Sequence, residues 1–297
     1  MNRLLLILLL LNSCVHKNGK LETAILVQST KGTHVSIVDS STVNTYLWLD
    51  DYQIENALVN RIPVPDEFER IDVEEKSFAD WLRHLPLKDG NPDILNNEGE
   101  KISSQNHKIA VVDIDVGEKD LQQCADAVMR LRAEFLHSTE QDDLISFNFT
   151  SGDACAWNSW KHGSRPHING NDVSWSNDAA TDESYKNFRK YMDMVFNYAG
   201  SLSLSKEMNP IEAKDIYAGD VFIQGGSPGH AVTILDVAMN SSGDKIFLIA
   251  QSYMPAQNIH VLRNFTNADL SPWYKVNEGN ILDTPQWNFD WENAMRF

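Results

Sequence analysis

A histidine and a glutamine in the last third of the chain are residue types that cooperate in hydrolytic sites. His230 begins one apolar, β-branched run, and Gln251 lies near the end of the next. If Met239 pairs with Asp244 across the intervening loop, Val232 lies opposite Gln251, so His230 and Gln251 lie on one face as diagonal neighbours. An amide bound to the imidazole fixes its tautomer, and the imidazole then activates a nucleophile. The spacing predicts a catalytic histidine with an orienting amide; a core histidine and a structural amide are the alternatives.

Two cysteines are candidates for the nucleophile. Cys124 follows a predicted strand and lies in the first turns of a helix, where the positive end of the helix dipole would favour a thiolate. It also shares an apolar stripe with Leu121 and Val128, so a buried core thiol is the competing interpretation. Cys155, in a predicted loop, is the second candidate, and the two cysteines are either thiols or one disulfide. The predicted catalytic set is Cys124, His230 and Gln251.

Hydrophobic periodicity indicates the elements that must position these residues. Helical spacing predicts three amphipathic helices, at 77–87, from about 120 to 136, and at 184–199. Runs rich in β-branched residues predict four strands, at 108–116, 219–224, 229–239 and 245–253. Helices come first and strands afterwards. The fold class is therefore expected to be α+β, with helices packed on an antiparallel sheet.

The two strands that carry the histidine and the glutamine resemble those of papain-like cysteine hydrolases. In that superfamily a His-Ala-Val strand precedes a strand ending in Asn-Ser-Trp, and this chain has His230-Ala231-Val232 and then Gln251-Ser252-Tyr253. The run GDVFIQGGSPGHAV (219–232) is also similar to a Gly-Asp-strand-loop-Gly-His run of bacterial cell-wall amidases. Glutamine replaces the usual asparagine, and the Gln-Gly-x-Cys-Gly-Ser-Cys-Trp nucleophile motif is absent. The resemblance implies a papain-like C-terminal part that hydrolyses amide or peptide bonds, with Cys124 as nucleophile, His230 as base and Gln251 as orienter.

Most of the chain resembles a bacterial lipoprotein family known as domain of unknown function 4846. The segments that carry this resemblance are FADWLRHLPLK (78–88), DIDVGEKDLQQCADAVMRLRAEFL (113–136), YKNFRKYMDMVFNYAGSLSLSKE (185–207), the run from 219 to 238, and AQSYMPAQNIHVL (250–262). The matches are long and specific. The family implies no established activity, so the mechanism must come from the site residues themselves.

The first residues have the layout of a secretory signal. Arg3 precedes the apolar run from Leu4 to Leu11, and Asn12 and Ser13 lead directly to Cys14. This ending resembles the lipobox of bacterial lipoproteins, which implies a signal peptide at 1–13 and lipid on Cys14. Residues 14–62 are then expected to form a lipidated tether and a small N-terminal subregion. The Pro63-Val64-Pro65 stretch marks the entry to a single α+β domain at 63–297.

Composition and charge limit the partners. The formal net charge is −17, which repels nucleic-acid phosphates, so nucleic acid is not an expected partner. No metal-ligand spacing is recognised, and no cofactor is assigned. The expected location is the bacterial cell envelope, with the lipid on Cys14 in the membrane and a peptide or cell-wall substrate in water. The alternative function is a non-catalytic lipoprotein that uses a papain-like cleft to bind peptide, glycan or protein.

Overall fold

A nine-stranded antiparallel sheet organises residues 45–297, the part of the chain that the computed structural model describes. The strands of this sheet are β1 (Phe68–Arg70), β2 (Lys108–Val111), β7 (Asn209–Pro210), β8 (Val221–Gln224), β9 (His230–Asn240), β10 (Lys245–Gln251), β11 (His260–Leu262), β12 (Tyr274–Lys275) and β15 (Ala294–Arg296). The main path of the sheet follows the order β2-β11-β10-β9-β8-β15-β7, while β1 pairs with β9 and β12 pairs with β10. The predicted α+β class with an antiparallel sheet is confirmed.

Helices and short hairpins complete the described unit. The helices are α1 (Leu58–Arg61), α2 (Phe78–Arg83), α3 (Cys124–Ser138), α4 (Trp157–Lys161), α5 (Tyr185–Tyr198) and α6 (Ser201–Glu207). The hairpins are β3 (Ser146–Asn148) with β4 (Ala154–Ala156), β5 (Arg165–Asn169) with β6 (Asp172–Ser176), and β13 (Ile281–Asp283) with β14 (Asn288–Asp290). None of the helices in this part of the chain is long and apolar enough to cross a membrane.

The central strands β9 and β10 are mostly apolar because both faces of the sheet are covered there. In β10, Leu248 and Ala250 belong to the larger core with α3 and α5, whereas Phe247 and Ile249 belong to a second core with the β13–β14 hairpin. A strand buried on both faces reads as a continuous apolar run rather than an alternating one. This explains why β9 and β10 are the clearest strand signals in the sequence.

The register of β9 against β10 changes once along the pair. Near the turn, Met239 pairs with Lys245, one residue away from the predicted partner Asp244. A bulge then adds Leu235 as an extra residue on β9, and beyond it Ile249 pairs with Ile234. The extra residue in the bulge cancels the one-residue shift at the turn. If the register beyond the bulge continues by one more residue, Gln251 lies opposite Val232, as predicted.

The compact unit begins at Thr45, earlier than the expected domain start at 63. Tyr46 and Leu58 are buried in the larger core, and the Leu58 N–H donates to the carbonyl of Leu85. Part of the segment assigned to a tether and subregion therefore packs with the domain, because its few apolar residues join the core. The expected signal peptide and the lipidation residue Cys14 lie outside the described residues.

Candidate active site

The strand pair β9–β10 holds the predicted histidine and glutamine in direct contact. His230 Nε2 lies 2.8 Å from Gln251 Oε1, and both side chains are buried. Because Oε1 can only accept, Nε2 carries the proton and Nδ1 is the acceptor nitrogen of the ring. The Gln251 Nε2 donates in turn to Gln286 Oε1 at 2.6 Å. This chain of hydrogen bonds fixes both the imidazole tautomer and the orientation of the Gln251 amide.

Aromatic rings enclose His230. The ring centroids of Tyr253, Trp287 and Phe289 lie 5.1, 5.4 and 5.9 Å from the imidazole. The Trp287 indole N–H donates to Gln224, which is the cross-strand partner of His230 in β8. Burial lowers the pKa of His230 to about 4, and the hydrogen bond to Gln251 only partly opposes this. The imidazole is therefore neutral at neutral pH, with a free acceptor nitrogen.

Cys124 is the first residue of α3, a position several residues later than the helix start predicted at Asp120. Gln123 is the N-cap, and its N–H donates to Asp126 in the first turn. The backbone amides of Ala125, of Ala231 in β9 and of Cys124 itself contact the thiol. The helix start thus brings the cysteine to the beginning of the strand that carries His230.

The expected low pKa of Cys124 is not found, because burial outweighs the stabilisation of a thiolate at the helix start. Burial raises the pKa of the Cys124 thiol, and the nearby Asp126 raises it further. The contacting backbone amides lower it, but by less than burial raises it. The resting thiol is therefore protonated at neutral pH.

Cys124 and His230 line the same pocket, which has a volume of about 330 Å³. Its walls come from the residues before and within the first turn of α3, the junction of α5 with α6, the loop 226–229 and the aromatic side chains beside His230. Among the described residues no hydrogen bond joins the thiol to the imidazole, whose one bond goes to Gln251. The pair shares a cavity as a neutral thiol and a neutral imidazole.

The loop between β8 and β9 brings its backbone close to α6. A Cβ at Gly229 would collide with the Ser201 side chain and with the backbone of Gln224, so only glycine fits there. The packed loop forms part of the pocket wall.

The segment that precedes Cys124 is attached to the chain just beyond Gln251. Ser252 Oγ donates to the Gln122 carbonyl at 2.9 Å, and the Ala256 N–H donates to Asp120 at 2.6 Å. The Gln122 side chain accepts from Arg130, which is fully buried on α3. These contacts fix the start of α3 relative to the strand that holds the glutamine. Ser252 of the Gln-Ser-Tyr run thus has a positioning role.

Asp126 is a buried acid at the pocket wall. Only 7% of this residue is exposed; its Oδ2 accepts from the Gln123 N–H at 3.0 Å, while Oδ1 is buried without a hydrogen-bond partner. Burial raises the pKa of Asp126 to about 8. Capping of the helix thus leaves half of the carboxylate unpaired.

Cys155 lies apart from this pocket. It belongs to β4 rather than to a loop, it is fully buried, and burial raises its pKa to about 12. Cys155 and Cys124 are both free thiols, so they do not form the disulfide that was the alternative. Cys155 is a core thiol, and Cys124 is the cysteine that shares a pocket with His230.

Sequence reasoning missed Gln286, Trp287 and Asp126. Trp287 lines the pocket and contacts His230. The first two come from the β13–β14 turn, far from β10 in the chain, and no local pattern links them to Gln251. Asp126 carried a usable signal, because an acid three residues after the N-cap is a helix-start feature. In the described part of the chain, no group of three or more histidine, cysteine or acidic side chains is arranged to hold a metal ion.

Comparison with known proteins gives a family and no activity. Residues 58–296 match the family described as Domain of unknown function (4846). No curated protein and no solved structure matches the chain. Since the match spans most of the chain, including every residue of the pocket, the chain belongs to the family of domain of unknown function 4846.

Proposed function

We propose that the domain is a cysteine hydrolase of amide or peptide bonds, papain-like in its C-terminal part. Cys124 is the nucleophile, His230 the base and Gln251 the orienter. The observation that carries the proposal is the hydrogen bond from His230 Nε2 to Gln251, because it leaves Nδ1 as an acceptor in the pocket that also contains the thiol. A base oriented by a third group beside a nucleophile is the arrangement that such catalysis needs.

The proposed reaction passes through a thioester. His230 Nδ1 takes the thiol proton as Cys124 Sγ attacks the carbonyl carbon, and backbone amides at the start of α3 donate to the oxyanion. The C–N bond then breaks, the imidazolium gives its proton to the leaving amine, and the acyl group stays on sulfur. Water, deprotonated by the same imidazole, hydrolyses the thioester to a carboxylic acid and restores the thiol. Because the resting pair is neutral, proton transfer belongs to the attack step.

The proposed setting is the cell envelope. Cleavage before Cys14 and lipidation of its side chain would hold the domain at a membrane surface, where peptides of the cell wall are the nearest amide substrates. Radiolabelled fatty acid fed to cells should enter the wild-type protein and not Cys14→Ala. Unmodified Cys14 in the mature wild-type protein would contradict the anchor without affecting the hydrolase proposal.

The hydrolase is tested with two matched cysteine variants. The wild-type protein and Cys155→Ala are expected to hydrolyse bonds in a digest of cell-wall peptides, whereas Cys124→Ala should lose at least about 10³-fold in kcat/KM, because a nucleophile has no substitute. Mass spectrometry of a rapidly quenched reaction should find an acyl group on Cys124. Undiminished turnover by Cys124→Ala, or an acyl group on Cys155 instead, contradicts the proposal.

A non-catalytic binding pocket is the second candidate, and the protonation states favour it. Burial lowers the pKa of His230 and raises that of Cys124, so forming a thiolate–imidazolium pair costs free energy in the unoccupied site. A binding protein needs no such pair. If the wild-type protein binds cell-wall peptides with an affinity that survives Cys124→Ala, and turns over none of them, binding is the better account.

A further inference from the structure

Among the described residues, the side chains that line the pocket include two acids and no basic group that is charged at neutral pH. Asp120 and Asp126 lie on its wall, and no lysine or arginine of the described residues does. His230 adds no positive charge at neutral pH, because burial keeps its pKa near 4. A cation that enters the pocket meets only neutral or negative side chains, whereas an anion meets no basic one.

The two acids differ in how completely their carboxyl oxygens are hydrogen-bonded within the fold. Asp120 Oδ1 accepts from the Ala256 N–H and from the Gln123 side chain. Asp126 Oδ1 has no hydrogen-bond partner, and Asp126 takes part in no ion pair, although more than nine-tenths of the residue is buried. Buried polar atoms in folded proteins nearly always have a partner, because an unpaired one costs free energy. Because burial also raises the pKa of Asp126 to about 8, its carboxyl is mostly protonated at neutral pH unless a cation bound beside it favours the ionised form.

We propose that the pocket takes an amide substrate that carries a protonated primary amine, and that Asp126 binds this amine. The proposal rests on the hydrolase proposed above for the amide, but the charge preference concerns binding and can be measured without turnover. An ammonium group can donate to Oδ1 and favours the ionised carboxylate, because opposite charges removed from water stabilise each other strongly. Acylated or anionic analogues lack this interaction.

Two probes, one with a charged amino terminus and one with that terminus acetylated, test the preference. Alanyl-alanine p-nitroanilide carries a free amine, and its N-acetyl derivative does not. The full-length chain should cleave the amine form with a kcat/KM about 10- to 100-fold higher, the range expected for a charged hydrogen bond. Asp126→Asn keeps an acceptor for the Gln123 N–H but has no charge, so the ratio should fall towards one. Asp143→Asn removes an exposed charge outside the pocket and should keep the ratio.

The outcomes separate this proposal from the hydrolase itself. A wild-type ratio near one or below it overturns the charge preference whether or not the variant folds, and an unchanged ratio in folded Asp126→Asn overturns the role of Asp126. If neither probe is cleaved, calorimetry with Cys124→Ser decides the matter, using alanyl-alaninamide and its N-acetyl form. Tighter binding of the amine, abolished by adding Asp126→Asn, supports the proposal although the hydrolase has failed. Equal binding, or no binding of either probe, overturns it.

Discussion

The two sides of the pocket differ in how completely their polar groups are hydrogen-bonded. On the strand side, His230, Gln251 and Gln286 form an unbroken chain of hydrogen bonds. On the helix side, Asp126 keeps an unpartnered oxygen, and burial raises the pKa of both Asp126 and Cys124. The hydrogen bonds on the strand side therefore fix its geometry before any ligand binds. On the helix side, burial disfavours the ionised forms of Asp126 and Cys124 unless a group that stabilises the negative charge binds beside them.

The largest expected effect tests the strand side. Replacing His230 by alanine should lower kcat/KM for cell-wall peptides by about 10³-fold, within the range for loss of a general base. His162 is exposed and outside the pocket, so His162→Ala should change kcat/KM little. Steady-state kinetics of the two variants measure the difference. Similar losses of kcat/KM in both variants would show that His230 has no special role in catalysis.

Alkylation compares the helix-side thiol with the core thiol. Cys124 should react with iodoacetamide about 100-fold faster than Cys155 in the folded protein, because Cys155 is fully buried and has a pKa of about 12. The raised pKa of Cys124 predicts that its rate increases with pH above 8 rather than at mildly acidic pH. Peptide mapping after timed quenching gives both rates. Rapid alkylation of Cys124 below pH 6 would show that a thiolate is already present.

The stability of Asp126→Asn tests the unpaired carboxylate without any assay of activity. The pKa of Asp126 is raised to about 8 in the folded protein, so its stabilising contribution is fully present below about pH 4 and is lost as pH rises to 8. Asparagine has no such loss. The variant should therefore gain at least about 2 kcal/mol in free energy of unfolding between pH 4 and pH 9, relative to wild type. Urea unfolding at the two pH values measures this, and parallel pH dependences would show that Asp126 is ionised normally.

The smallest effect concerns Gln286, which accepts a hydrogen bond from Gln251. Gln286→Leu should lower kcat by about tenfold, because Gln251 loses the partner that orients its amide. Gln286→Glu keeps an acceptor oxygen and should retain most of the activity. The ¹⁵N shifts of the His230 ring report the tautomer, which should become mixed only in the leucine variant. An unmixed tautomer there would mean that Gln251 alone is sufficient.

The strand side could be predicted from sequence because its information is local. The β-branched runs predicted β9 and β10, and the His-Ala-Val and Gln-Ser-Tyr runs predicted the two ends at which His230 and Gln251 meet. Even so, the opposition of Gln251 and Val232 was predicted from a turn pairing that the fold does not have, and the bulge at Leu235 corrected it. Gln286 could not be predicted, since a turn 35 residues beyond Gln251 reaches it only through tertiary packing.

The helix side shows why protonation could not be predicted. The sequence gives a cysteine near a helix start, and the dipole alone predicts a low pKa for Cys124. The fold adds burial and a neighbouring acid, whose effects exceed those of the dipole and the backbone amides. The helix start itself was expected at Asp120, but that side chain accepts from the Ala256 N–H instead of capping the helix.

The bulge at Leu235 also has a consequence for protein engineering. It divides the β9–β10 hairpin into a segment at the turn and a segment at the pocket, each with its own register. The turn residues Ser241, Ser242 and Gly243 are exposed and lie on the far side of the bulge from His230. A fluorophore or affinity tag inserted in this turn should leave the strand register at the pocket unchanged. The His230 imidazole then stays on its own face of the sheet. The 241–243 turn is therefore the place to label this protein while its pocket is studied.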